Sequence, residues 1–237
     1  MEYELAYYSS VGRRRNNEDA VSVKEGPGTL LALVADGLGG QDNGEYASAC
    51  AIDTLGGLPL DAEPSETVME KAFERANTEV RRLQREHPGA QTTLAALWLR
   101  ADRALAMHIG DTRIYQMRGG EIVYQSADHS LSQLAVMAGE LEPEDIRGDR
   151  DRNKLFRALG DRSAPRVGFA ELDVLPLDRF LVCSDGFWEK IWEDEMLLSA
   201  GRCPDAESWL DDMRRAAEPE AADNNTAIAI IARDGRT

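Results

Sequence analysis

The chain has 237 residues, 43% of them hydrophobic, which is enough for one large domain with a sizeable core. Lys and Arg total 27 against 43 Asp and Glu, a formal net charge of -16, which repels a phosphate backbone and argues against nucleic acid as a partner. Cys50, Cys183 and Cys203 are widely spaced with no Cys-x-x-Cys pair, which argues against a disulfide framework or a zinc ribbon; with no apolar run near 18 residues and no signal-like start, a cytoplasmic protein without a membrane span is expected.

In chain order, Glu2 to Ser9 and Ala20 to Lys24 read as strands, joined by the polar loop Gly12 to Glu18, where three consecutive arginines stand beside Asn16, Asn17, Glu18 and Asp19. Such a loop suits a phosphate handled next to metal ions, or it is a solvated turn with local salt bridges. Leu30 to Ala35 is continuously apolar, as expected of a strand buried on both faces, and it breaks into Asp36-Gly37-Leu38-Gly39-Gly40. Glycines there let backbone and carboxylate approach a small charged ligand, although an ordinary Asp-Gly turn uses the same residues.

Asn43 to Leu55 and Ser65 to Glu86 carry helical stripes. Thr92 to Leu99, Ala104 to Ile109, Arg113 to Met117 and Ile122 to Gln125 are short strands between turn signals, read as an antiparallel meander with Asp111 in one of its turns. Ser130 to Gly139 reads as a capped helix, and Glu140 to Lys154 as an irregular, mobile flap within a segment near 138–155. Val167 to Val174 and Phe180 to Cys183 are strands, the second running into Ser184-Asp185-Gly186. Glu193 to Ala200 and Asp205 to Ala217 look helical, and Asp223-Asn224-Asn225 precedes a last strand, Thr226 to Ala232. There is no repeat or linker, so residues 1–237 are expected to form a single domain.

Asp19, Asp36, Asp111, Asp185 and Asp223 all fall at strand ends or tight turns, and hard oxygen ligands converging from several strands suit Mg²⁺ or Mn²⁺. His87, His108 and His129 have no ligand spacing, Ser184 lacks a nucleophile elbow and Cys183 lies inside an apolar strand, which leaves metal-assisted attack by water.

In this order, Arg14 with Asn17-Glu18-Asp19-Ala20, Ala35-Asp36-Gly37 with Gly39-Gly40, Thr92-Thr93, Gly110-Asp111-Thr112-Arg113, Asp128-His129-Ser130, Ala158-Leu159-Gly160-Asp161, Ser184-Asp185-Gly186 and Asp223-Asn224 with Thr226 resemble the motifs of the metal-dependent protein phosphatases, the protein phosphatase 2C family, in its compact bacterial form. The resemblance covers nearly the whole chain. It implies an α+β fold, a four-layer α-β-β-α sandwich of two mainly antiparallel sheets, and a serine/threonine protein phosphatase with two Mn²⁺ or Mg²⁺ ions per site and a weaker third. By motif, Asp36 would bridge the two ions, Gly37 would offer its carbonyl, and Asp185 and Asp223 would hold one of the pair. Glu18 and Asp19 would act through bound water, Arg14 would grip the substrate phosphate, and Asp111 with Glu189 would serve the third ion. A water or hydroxide between the two metals would attack phosphorus in line. The implied partners are phosphorylated proteins made by a serine/threonine kinase, with the enzyme monomeric.

Three departures from the family pattern stand out. Leu38 occupies the place of a histidine proposed as general acid in animal members, Thr112 replaces the commoner serine, and the flap carries Gly148-Asp149-Arg150-Asp151 before Arg152-Asn153 where many relatives have His-Pro. Two rivals remain open at this point: a gyrase or histidine-kinase type ATP-binding domain, which also places Asp-x-Gly-x-Gly after a strand, and a phosphatase-like module that binds a partner without catalysis.

Overall fold

The computed structural model describes residues 1–38, 43–61, 63–218 and 222–235, so Gly39 and Gly40 of the glycine-rich loop lie outside the described residues. Its first half comprises β1 (Glu2–Ser10), β2 (Asp19–Gly26), β3 (Thr29–Leu38), α1 (Gly44–Gly56), α2 (Glu66–Leu83), β4 (Gln91–Thr92), β5 (Leu94–Arg100), β6 (Arg103–Ile109), β7 (Arg113–Arg118) and β8 (Glu121–Gln125). Then follow α3 (Leu131–Met137), a 3₁₀ turn (Pro143–Gly148), β9 (Gly168–Asp173), β10 (Arg179–Cys183), α4 (Asp185–Trp188), α5 (Glu193–Arg202), α6 (Ala206–Ala217) and β11 (Asn225–Arg233).

The layers follow from the two faces of β3. Leu31, Leu33 and Ala35 point one way, into a core shared with Ala47, Ala51 and Leu55 of α1 and Met69, Phe73 and Val80 of α2. Leu30, Ala32 and Val34 point the other way and meet Phe180, Val182, Ile228 and Ile230 from the second sheet. That sheet buries its outer face, Leu181, Cys183, Ala229 and Ile231, under Trp188, Trp209 and Met213. Three apolar cores therefore separate four layers, helices, sheet, sheet, helices. The strand orders are β1-β11-β10-β7-β8 in one sheet and β2-β3-β5-β6-β9 in the other, with every pairing antiparallel and β4 a short addition beside β3.

The expected meander is corrected. β5 and β6 pair in one sheet, β7 and β8 pair in the other, and β6 has β9 as its second neighbour. The chain changes sheets at Gly110–Thr112, where Gly110 has φ +97° and a Cβ would stand 2.5 Å from the Thr93 methyl. Strand length and alternation are the same whether consecutive strands pair or switch sheets, so the local pattern could not distinguish the two. The expected strand Thr92 to Leu99 is likewise broken at Thr93, whose side chain is diverted into the site described below.

The segment read as a flap holds the 3₁₀ turn and is anchored. Ile146 is buried, Arg147 pairs with Glu193 at 2.8 Å and Arg152 with Glu189 at 2.7 Å.

Candidate active site

Antiparallel register gathers the strand-end aspartates at one end of the sandwich. Asp19 at the start of β2 lies directly opposite Asp36 near the end of β3, so their carboxylates share one face. β10 ends at Cys183 opposite Ala227 of β11, which delivers Asp185, just past β10, and Asp223, just before β11, to the same end. Asp111 enters from the crossing between the sheets. Five chain segments thus converge where no single sequence stretch would show it.

Neighbouring groups hold this cluster in place. The Asp36 backbone N–H donates to Thr93 Oγ1 at 2.9 Å, and Thr92 Oγ1 donates to the Asp36 carbonyl at 2.9 Å. Thr93 Oγ1 in turn hydrogen-bonds Thr112 Oγ1, which couples the Asp36 strand to the Asp111 turn. Ser184 Oγ donates to Asp19 Oδ2 at 2.8 Å. Asn224 ties the arginine loop down, since its Nδ2 donates to the carbonyls of Val11 and Asn16 at 3.0 and 2.9 Å while its Oδ1 accepts from Glu18 N at 2.8 Å. Gly37 sits so close to α1 that a Cβ would fall 2.4 Å from the Gly44 carbonyl, and a Cβ on Gly186 would fall 2.0 Å from the Asn224 carbonyl oxygen. Bulk at either position would push a loop off the cluster.

The electrostatics are those of crowded carboxylates. Burial, then the charges of Asp185, Asp19 and Asp111, hold Asp36 well above the ordinary carboxylate range. Burial, with Asp185 and Asp128 nearby, does the same to Asp111. Asp185 is pushed up to about 7 by burial and by Glu189, Asp223 and Asp19, and Asp19 to about 6 chiefly by burial.

The donor set suits hard divalent cations. Asp19 Oδ1 and Asp185 Oδ1 are buried and accept no hydrogen bond from the protein, an arrangement that costs free energy unless a proton, a cation or a cation-bound water occupies their lone pairs. Among the described residues no three His, Cys, Asp or Glu side chains form a ready-made cage. A cation here would take few protein oxygens and retain water, as Mg²⁺-type ions do.

Two of the expected site residues have ion-pair partners of their own. Arg14 Nη2 lies 2.6 Å from Asp223 Oδ2, a pair with both side chains substantially exposed. Glu189, expected beside Asp111, accepts from Arg152 Nε at 2.7 Å, so a guanidinium already matches its charge. Sequence reasoning missed the supports: Thr93, Ser184 and Asn224, the Arg152 partner, and the buried bidentate pair in which Arg113 Nε and Nη2 donate to Asp128 Oδ1 and Oδ2 at 2.8 and 2.7 Å. All but Arg152 stand in quoted motifs, so the signal was present, but nothing local assigned them partners.

No described helix is long and apolar enough to cross a membrane. The serine/threonine protein phosphatase PstP of Mycobacterium tuberculosis is 34% identical over 199 residues, a match covering 81% of this chain but 37% of that protein, so the chain spans well under half the relative's length. Protein phosphatase PhpP of Streptococcus pneumoniae is 30% identical over 81% of this chain and 82% of its own. The crystal structure of the catalytic domain of PstP in complex with two manganese ions superposes with a TM-score of 0.79 at 30% identity, covering 98% of this chain and 99% of that one. Neither an ATP-binding domain nor a silent module finds support among these relatives. The profile of the protein phosphatase 2C family matches residues 8–229, spanning both sheets and every carboxylate of the cluster, and the chain belongs to that family of serine/threonine phosphatases.

Proposed function

We propose that this chain is a metal-dependent protein serine/threonine phosphatase that hydrolyses phosphomonoesters on proteins phosphorylated by a serine/threonine kinase, acting as a cytoplasmic monomer through the single domain 1–237. The observation that carries this reading is the convergence of Asp19, Asp36, Asp111 and Asp185, with buried, partnerless oxygens on Asp19 and Asp185. Asp36, the Gly37 carbonyl, Asp185 and Asp223 are the residues to hold a pair of Mn²⁺ or Mg²⁺ ions, with Glu18 and Asp19 acting through water. Bound there, such a pair supplies a nucleophilic water at neutral pH and offsets charge on the phosphoryl oxygens.

The remaining work falls to the protein. The Thr92 and Thr93 hydroxyls and Ser184 fix the orientation of Asp36 and Asp19, so the carboxylates are preorganised before substrate arrives. Leu38 offers no proton to the leaving alkoxide, which therefore takes one from water. Asp111 is the residue to serve a weaker third cation, and Glu189, whose Oε1 accepts from Arg152, would offer it Oε2.

In a phosphothreonine-peptide assay, excess chelator should abolish turnover and added Mn²⁺ or Mg²⁺ should restore it. Full activity in chelator would overturn the proposal.

Arg14 is the candidate for binding the phosphate. Its present partner is not an obstacle, because exposed ion pairs are worth only ~0 to 1 kcal/mol and a phosphate dianion is the stronger acceptor for a guanidinium fork. Arg14→Ala should raise KM about tenfold or more with a smaller effect on kcat, the loss of a charge-assisted bond worth ~1.5 to 3 kcal/mol. Arg13→Ala and Arg15→Ala should change KM much less. Equal effects from all three would point to diffuse attraction in place of a specific grip.

A further inference from the structure

Trp188 closes the short helix that begins at Asp185, three residues from that carboxylate of the cluster. The side chain is 1% exposed. Its indole Nε1–H donates to the backbone carbonyl of Asp111 at 2.9 Å, a contact between residues 77 positions apart. The ring has cationic groups on it: the Arg113 guanidinium carbon lies 3.4 Å from the ring centroid, and that of Arg147 lies 5.6 Å away. Arg113 is itself fixed by Asp128. Arg147 comes from the 3₁₀ turn Pro143–Gly148 and donates to the carbonyls of Trp188 and Ile191 at 3.1 and 3.2 Å and to Glu193 Oε1 at 2.8 Å.

This arrangement joins two elements that each carry a carboxylate of the site. Asp185 opens the four-residue helix that ends in Trp188. Asp111 sits in the crossing turn, where nothing in the β-ladders holds its carbonyl, since β6 has ended at Ile109 and β7 begins at Arg113. The indole bond spans that gap, and the stacked guanidinium of Arg113 restricts rotation of the ring.

We propose that Trp188 is a positioning residue that sets the spacing between the Asp111 turn and Asp185, and that Arg147 braces it from the segment Pro143–Gly148. In this role Trp188 acts through Asp111, whose carbonyl it holds, and through Asp185, whose helix it closes. The proposal rests on the reading of those two carboxylates as cation-binding groups, and it adds to that reading a link between them and the segment above.

The test compares two buried tryptophans. Trp209 is 0% exposed, lies in α6 with Arg179 over its ring at 5.2 Å and has an indole nitrogen without a hydrogen-bond partner, so Trp209→Phe measures the cost of shrinking a core ring under a guanidinium without the loss of an indole hydrogen bond. Both variants and the wild type are titrated with Mn²⁺ by calorimetry, melted, and assayed on a phosphothreonine peptide. Trp188→Phe keeps a ring beside Arg113 and loses the N–H. It should weaken Mn²⁺ binding in at least one phase by about tenfold and lower kcat by a similar factor, with KM changed less than about twofold. Trp209→Phe should lower Tm and leave the Mn²⁺ isotherm as in the wild type. Arg147→Gln should shift the isotherm in the same direction as Trp188→Phe, by less. If Trp188→Phe lowers Tm but leaves the isotherm and kcat unchanged, as Trp209→Phe should, the positioning role is overturned while the metal reading stands. A wild-type chain that gives no heat with Mn²⁺ would overturn both.

Discussion

Replacing Asp36 with asparagine should lower kcat by at least about a hundredfold, the upper range for losing even an outer partner of a metal site, and should at the same time make the metal-free protein more stable at pH 8. The second effect follows from the sign of the pKa shift. Asp36 is held well above the ordinary carboxylate range by burial and by Asp185, Asp19 and Asp111, whereas in the unfolded chain it titrates near ~3.9. Between those values the folded state binds more protons than the unfolded state, so stability is lost as pH rises through the window. Asp185, pushed up to about 7, acts in the same direction. At pH 8 the chelated wild type therefore bears the cost of a carboxyl whose ionised form the folded site disfavours, a cost the asparagine variant lacks, and the variant should melt higher by a few degrees, about 2 to 4 °C per kcal/mol for a chain of this size. Saturating Mn²⁺ should reverse the order, because a cation stabilises the fold that binds it. The comparison belongs between pH 6.5 and 8: His108 and His129 are shifted down, His129 to about 3, chiefly by burial, and their protonation in the unfolded chain opposes the trend at lower pH. A variant that melts below the chelated wild type at pH 8, or that keeps near wild-type turnover, would show that Asp36 is not at the centre of the cluster.

What was legible in the sequence was chemistry set by short runs. Six consecutive apolar residues before Asp36 read as a strand covered on both sides, and the structure divides them alternately between two cores. Ser130 before a helical stripe gave a cap, and its Oγ accepts from Gln133 N at 3.3 Å. The sheet to which a strand belongs was not legible. Nothing in Ala104 to Ile109 says that its neighbour is β9, more than fifty residues on, because partner choice is decided by the packing of whole layers. The site divides the same way. Asp-Gly at strand ends marked the carboxylates, whereas the pairing of Glu189 with Arg152 and the bond from Trp188 to Asp111 depend on tertiary approach and have no local signature.

The motif residues that are not carboxylates of the cluster lead to a second large effect. Arg113 and Asp128 form a bidentate pair with side chains 3% and 2% exposed, directly beneath the Trp188 ring. Arg113→Met should cost about 3 to 5 kcal/mol, because it strands the Asp128 carboxylate in a dry interior, and Tm should fall by about 10 °C. The cost lies in the stranded charge and only partly in the lost attraction, so the double variant Arg113→Met with Asp128→Leu should recover much of the loss. The measurement is chemical denaturation of the wild type, the two single variants and the double variant in chelator, where cation binding cannot mask the difference. A single variant that loses less than about 1 kcal/mol would mean that water reaches Asp128. A double variant no more stable than Arg113→Met would mean that the guanidinium stabilises mainly through the Trp188 ring and the hydrogen bond from Arg113 Nη1 to the Tyr115 hydroxyl at 3.1 Å.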